Sequence, residues 1–544
     1  MDNVSPSVSK GALPTLVTVF FFWGFVAASN GIFIPFCKSH FNLNQFQSQL
    51  IDTSFYGAYF FGSLLLYLFS AFAGIDLLNR IGFKHGIIYG LLMSVVGAIA
   101  LAFISISPGA TFAMILLCFF IIALGFSLQQ TSAQPFAIAL GNPATGAHRL
   151  NLAGGINSLG TLLGPLAVSY VLFGDMKDAG VATIQSIQTL YLILGGLFFA
   201  VAMFFLTSKK LPSIKNNEHV EKSRKATSLL LAIAVPTIML LFLNQMFSDD
   251  NRVYLVAGSL VIIIGLLFFA YSSAQKNKEG WGAMQFPQLV LGMVAIFVYV
   301  GMEVTIQSNM GALLRKPEFG GLDAKYISQF ISLYWGSLMI GRWTGAVAVF
   351  DLKRSTKRLL TVVVPLVAFA LILFVNVIRG NEVKNLFVYI ICIAVLIGAF
   401  YYANERPAKM LLTVAFLGTI AMLIGLLTTG TLGTFAFISG GLCCSVMWPC
   451  IFSLGVTGLG KYTSQGSAFL IMMILGGAII PPVQGVICDF DRTNPNGIMG
   501  ISYTHFSYIV PFICFAYMIW HANKTRAILK SQGLDYDQQL SGGH

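Results

Sequence analysis

Charge is what this 544-residue chain has least of: Asp, Glu, Lys and Arg together make up 10% of it, against roughly a quarter in a soluble domain. So few charges cannot dress a soluble surface, because large exposed apolar areas aggregate. The cysteines are few as well. Cys37, Cys118, Cys392, Cys443, Cys444, Cys450, Cys488 and Cys514 form no CxxC pair, and most lie inside apolar runs. That pattern supports neither a disulfide framework nor a zinc site. A phosphate-cradling glycine loop, a metal-ligand cluster and a nucleophile–base pair are all missing, so the chain does not read as an enzyme, and neither a metal nor an organic cofactor is expected. The first apolar run is too long for a cleavable signal and lacks a small-residue cleavage site, so it reads as a retained span.

What the chain has is grease: 56% hydrophobic residues, 13% aromatic with 47 Phe, and a mean hydropathy of +0.80. About 16 apolar segments reach spanning length, near 13–36, 53–75, 86–106, 110–140, 150–174, 187–207, 228–246, 253–273, 288–311, 326–350, 359–378, 386–403, 409–429, 432–457, 464–487 and 500–522. The chain is therefore read as an all-α polytopic membrane protein. Its net charge of +12 would suggest nucleic acid on a soluble protein. Here the basic residues sit in connecting loops, above all between Lys209 and Lys225, so no nucleic-acid partner is expected. With both termini on the cytoplasmic side, about 22 Lys and Arg fall inside and about 9 outside, which sets the orientation.

An ordered set of echoes runs through the sequence. Gly62-Ser63-Leu64, followed by Asp76 and Arg80, returns as Gly336-Ser337-Leu338, followed by Asp351 and Arg354, about 274 positions on. Pro135 to Gly141 returns as Pro449 to Gly455, and Gly164-Pro165 as Gly477 and Pro481, offset by about 315. The step between the two offsets is about one helical hairpin. Two parallel six-helix halves with two added hairpins account for this. The expected divisions are 1–207 for the first half, 208–287 for the basic loop and one hairpin, 288–522 for the second half with a hairpin inserted at about 359–404, and 523–544 for a cytoplasmic tail. The hairpins are expected to pack peripherally and leave the central path unaltered.

The loop Gly74 to Gly86 carries Asp76, Arg80, Gly82 and Lys84, and it resembles the loop signature of major facilitator transporters. Further motifs are FYGAYF (55–60), QQTSAQPF (129–136), RLNLAGGINSLG (149–160), YVGMEV (299–304), LYWGSLMIGRWTG (333–345), WPCIFSLG (448–455) and GGAIIPPVQG (476–485). Together they resemble the fucose–glucose/galactose–proton symporter family, on the glucose/galactose-like branch. The resemblance implies a major facilitator fold and alternating-access import of a sugar, such as glucose, galactose, fucose or an amino sugar. It also implies a monomer in a bacterial inner membrane. Asp76, Arg80 and Lys84 would then form a conformational-switch loop. In the fucose pattern, spans one and four each carry an acid important to proton coupling; the matching positions here are Gly31 and Gln130. Direct transfer of that coupling scheme fails, so uncoupled or sodium-coupled transport remains an alternative, with a membrane sugar sensor behind both.

Sugars need amides, which supply both donors and acceptors, and flat apolar faces. Amides cannot face lipid unpaired. Asn30, Gln130, Gln134, Asn157 and Gln307 are therefore the expected substrate-binding residues, with Trp335 a stacking candidate. Trp448 is a second, and an interfacial or core role suits either tryptophan equally. Buried amides can also simply join helices. Glu303 is the carboxylate deep in a span, and such residues usually face ion or substrate pathways. It is expected to carry the coupling proton, and Gln307, one turn on, would join it to the sugar. Arg342 either snorkels to the cytoplasmic edge or pairs with an acid; the sequence does not choose.

Overall fold

In a bilayer the backbone must satisfy its own hydrogen bonds, and a chain without β-barrel alternation can do so only as helices. A computed structural model describes residues 11–41, 45–173, 183–212, 223–240, 249–494, 497, 498 and 500–534, excepting side chains at 27–36, 38, 39, 45–53, 143, 165, 169, 172, 173, 249–252, 324, 325, 492 and 493. The helices are, in chain order, α1 (Ala12–His40), α2 (Gln45–Ala73), α3 (Leu77–Ile81), α4 (Phe83–Ser105), α5 (Phe112–Ala139), α6 (Gly146–Phe173) and α7 (Ile184–Thr207). There follow α8 (Arg224–Ile238), α9 (Asp249–Lys276), α10 (Pro287–Ser308), α11 (Met310–Leu314), α12 (Ala324–Ala346), α13 (Arg354–Ile378) and α14 (Ile390–Ala403). The last seven are α15 (Pro407–Leu427), α16 (Gly430–Cys444), α17 (Met447–Val456), α18 (Thr463–Met472), α19 (Gly476–Thr493), α20 (Tyr503–Phe506) and α21 (Ile509–Ser531).

Local chemistry sets many of the boundaries. Thr111 caps α5 and Thr183 caps α7, each hydroxyl accepting a first-turn N–H, and Pro287 and Pro407 open α10 and α15, where a missing N–H costs nothing. By length and composition, twelve of the described helical stretches can cross a membrane. The expectation of about 16 exceeds that number. The other four segments are occupied by α1, α6, α8 and α12. Of these, α8 has 15 residues. By contrast α6 and α12 are long, at 28 and 23 residues, but polar, with His148, Arg149, Asn151 and Asn157 on one and Arg342 on the other. They pack on each other across the molecule, so neither needs an all-round apolar surface.

The repeat is visible in the packing. As α1 lies on α6, so α10 lies on α19; as α4 lies on α5 and α7, so α15 lies on α16 and α21. By its neighbours α15 thus holds a place like that of α4, and the α13–α14 pair lies between α12 and α15 in the chain. The α8–α9 pair stands between the halves, with α8 against α2 and α9 against α10 and α19. Burial follows from this order. Nearly all of α10 is enclosed, 89% of its apolar window being buried, whereas α9 buries 28% of its own. Large apolar side chains such as Phe69, Phe103, Val261, Phe269 and Phe374 are exposed outward, where hydrocarbon would be their solvent.

Candidate functional site

The described hydrogen bonds between the halves lie at one end of the bundle and at mid-depth. At that end Ser464 of α18 donates to the Asp76 carboxylate at 3.1 Å, and the Asn79 amide donates to the Lys461 carbonyl at 3.3 Å. Ser467 donates to the Thr131 carbonyl at 3.0 Å. Trp343 of α12 donates its ring N–H to the Gly155 carbonyl of α6 at 3.1 Å. A Cβ at Gly155 would lie 2.6 Å from Trp343 Cδ1, so only glycine lets these helices meet as they do. This end is shut.

At mid-depth the halves meet through polar side chains. Arg342 of α12 lies 3.9 Å from the Glu303 carboxylate of α10, and both side chains are nearly enclosed, at 12% and 15% exposure. The guanidinium also donates to Ser158 Oγ of α6 at 2.9 Å and to the Ser445 carbonyl at 3.2 Å. Tyr299, one turn before Glu303, donates its hydroxyl to the same carboxylate, and Tyr334 donates to the Glu303 carbonyl at 2.6 Å. The open choice for Arg342 therefore resolves to pairing. Its charge is opposed by a carboxylate of its own half while its other arm holds a helix of the facing half. An isolated charge at such depth is costly; a paired and hydrogen-bonded one is tolerated.

Aromatic and amide groups adjoin this pair. The Trp448 ring lies 6.3 Å from that of Tyr299, and its indole N–H points to Gln134 Oε1 at 3.5 Å, again across the halves. Gln130 donates to Tyr59 Oη at 2.9 Å and is half-buried. Gln129, one residue before it, is sealed between Trp23 and Ser94 and serves packing alone. Asn157 is half-buried and spends its amide N–H on the Phe20 carbonyl of α1 at 3.0 Å. Trp335 is half-buried, edge-on to Tyr334 at 5.6 Å. Gln307 is half-buried on the Glu303 face, one turn farther from the shut end. The side chain of Asn30 lies outside the described residues. The structure thus gathers Gln134, Glu303, Arg342 and Trp448. Tyr299, Ser158 and Ser445 escaped the sequence reading, and only Tyr299 left a signal there, its four-residue spacing from Glu303.

In the switch loop, Asp76 caps α3 by accepting the Asn79 N–H at 3.0 Å while it holds Ser464 of the facing half. Lys84 closes the end of α7 by donating to the Ser208 carbonyl at 2.8 Å, and Arg80 is exposed. A surface cleft beside Tyr67, Asp76, Ser223 and Gln465 belongs to this rim and does not reach Glu303. Among the described residues no group of His, Cys, Asp and Glu could hold a metal ion.

Known proteins resemble this chain along most of its length. The pattern of the Major Facilitator Superfamily matches residues 15–404. A glucose/galactose transporter of Brucella abortus (biovar 1, strain 9-941) is 29% identical over 511 residues, covering 94% of this chain and 93% of that protein. The L-fucose-proton symporter of Escherichia coli (strain K12) is 25% identical over 517 residues, covering 92% and 90%. Among solved structures, a point variant of the E. coli fucose:proton symporter aligns with a TM-score of 0.62 at 21% identity, over 94% of this chain and 98% of that one. The sequence motifs, the two halves with matched packing and the polar centre between them agree with these comparisons: the chain is a multi-pass membrane transporter and not an enzyme, and it belongs to the Major Facilitator Superfamily.

Proposed function

We propose that this protein imports a sugar by proton symport across a bacterial inner membrane, with the shut end facing the cytoplasm and Glu303 carrying the proton. The orientation rests on the basic loops, which gather at the shut end. The substrate class is supported by relatives, aligned over 94% and 92% of this chain, that are called glucose/galactose transporter and L-fucose-proton symporter. The observation that carries the mechanism is the Glu303–Arg342–Ser158 link. A carboxylate held by an arginine that also grips the facing half has its proton affinity tied to how the halves sit. When the arginine is drawn away, the carboxylate loses its counter-charge and takes up a proton; when the arginine returns, the proton leaves. Labelled-sugar accumulation in proteoliposomes under an imposed pH difference tests this. Accumulation must collapse with a protonophore and be indifferent to sodium.

Trp448 and Gln134 form the substrate face in this reading, a flat ring beside an amide at the seam. Gln134→Ala is expected to weaken sugar binding about five-fold, since a buried hydrogen bond to ligand contributes on the order of 1 kcal/mol. Gln129→Ala should lower thermal stability and leave affinity unchanged, because that amide is already sealed by Trp23 and Ser94. Calorimetry across a panel of monosaccharides checks both and names the sugar. Equal affinity losses in the two variants would remove Gln134 from the site.

Asp76 acts on the conformational equilibrium. Burial raises its carboxyl above the ordinary aspartate value, against the lowering influence of Asn79 and Ser464. The shut end therefore binds the Asp76 proton more tightly than an opened, solvated one does. That advantage is full below the ordinary value and is lost as pH rises through the raised one. Asp76→Asn removes the charge and keeps an oxygen for both partners, so it should hold the end shut, slow uptake and leave sugar affinity within a few-fold. Loss of binding would contradict this role.

A further inference from the structure

The helices α13 and α14 bury only 39% and 33% of their apolar windows, but the α14–α15 turn at their end makes contacts across the halves. His148, at the start of α6 in the first half, is 8% exposed. Its Nδ1 lies 3.2 Å from the Gly345 carbonyl at the end of α12, and its Nε2 lies 3.0 Å from the Glu405 carbonyl in the α14–α15 turn. One side chain of the first half is thus set between two backbone carbonyls of the second, and one of those lies in the turn that joins the inserted hairpin to α15. The shaft α13 also packs on α6.

The turn that supplies this carbonyl is held in an unusual backbone. Asn404 and Glu405 have φ of 49° and 61°, consecutive non-glycine residues in the left-handed region, a conformation that persists only where its surroundings hold it. Asn404 caps α14 by donating its N–H to the Phe400 carbonyl at 3.1 Å, and Pro407 opens α15 two residues past Glu405. Lys357 of α13 lies 3.4 Å from the Glu405 carboxylate. The turn is therefore held by the cap of α14 and by Pro407 of α15, the partly exposed Lys357 pair adding little, and its carbonyl points across the seam.

We propose that the inserted hairpin α13–α14 is part of the gate at the shut end, with His148 as its latch. The halves cannot part there until the imidazole leaves both carbonyls, so the hairpin biases the transporter towards the state closed at this end.

Cysteine accessibility tests the latch without any substrate, so its outcome is separable from that of the sugar reading. Ser453 of α17 is 3% exposed and faces Gly146 at the start of α6, where an added Cβ would lie 3.4 Å from its hydroxyl. In a background with the native cysteines replaced, Ser453→Cys should react slowly with a fluorescent maleimide in the purified protein. His148→Ala should speed that labelling on the order of ten-fold, as expected when about one net buried hydrogen bond holding one of two states is lost. His148→Gln, which keeps bulk and a donor, should give a smaller increase and supplies the reading if the alanine variant does not fold. Lys357→Ala, which removes only a partly exposed ion pair, should stay within two-fold of the parent. Unchanged labelling in the folded His148 variants, even with a lowered melting temperature, overturns the proposal and leaves His148 a packing residue.

Discussion

Glu303→Gln is expected to abolish concentrative uptake while leaving sugar binding and counterflow exchange within a few-fold of the parent. Glutamine keeps an oxygen for the Tyr299 hydroxyl and the volume of the side chain, so the local packing on α10 survives. What it removes is the group that can load and release a proton. Counterflow needs the halves to alternate but needs no net proton movement, so it separates alternation from coupling. In proteoliposomes with an imposed pH difference, the variant should only equilibrate the sugar. If it still concentrates sugar against a gradient, the proton travels elsewhere and Glu303 is a binding or structural carboxylate. A carboxylate serving only as the counter-charge of Arg342 would give another pattern, losing exchange and accumulation together.

Arg342→Ala should be the most damaging single change in the protein. It strips Glu303 of its opposite charge and at the same time cuts the bond to Ser158 and the bond to the Ser445 carbonyl. Breaking one side of an enclosed ion pair costs about 3–5 kcal/mol, because the remaining charge is left unpaired. Uptake should fall below detection and the melting temperature should drop. The pairing is isolated by the double variant Arg342→Ala with Glu303→Gln, which removes the orphaned charge. It should recover much of the lost thermal stability and none of the accumulation. If both single variants lower stability by amounts that simply add in the double, the two groups are not coupled, and the link between proton affinity and the seating of the halves fails. Ser158→Ala is the milder probe of that link, expected to slow exchange with stability nearly intact.

Several site residues were legible because their types are out of place. A carboxylate or an arginine inside an apolar run is costly and rare, so Glu303 and Arg342 stand out without any structure, although the sequence left Arg342 free to snorkel instead. Amides were less legible. Gln129, Gln130 and Gln134 occupy one helix and look alike in sequence, yet the first is sealed by Trp23 and Ser94, the second reaches Tyr59, and the third meets Trp448 of the other half. Which one faces the path depends on the rotation of α5 against its neighbours, a quantity that a periodicity of 3.6 leaves undetermined when apolar residues surround the whole helix. Nothing marked His148, a single histidine beside an arginine at a helix start. Its partners are backbone carbonyls, which every residue possesses and no sequence pattern distinguishes.

The sequence alone determined that the chain lives in a bilayer, that it is helical throughout its spans, and where most spans fall. Each of these follows from local composition: hydrocarbon rejects charge and unpaired backbone, so long apolar runs have one stable form. The tertiary structure decided which polar residues meet. Arg342 joins Glu303 of its own half to Ser158, 184 positions away in the other, and the turn after the inserted hairpin reaches His148 across 257. Such contacts are set by how two six-helix halves lean on one another, and that lean comes from the summed packing of many side chains, among them the close approach of α12 to α6 at Gly155. No residue type or spacing encodes it locally, which is why the partner of the buried acid, the amide at the seam and the latch at the gate became visible only once the halves were placed together.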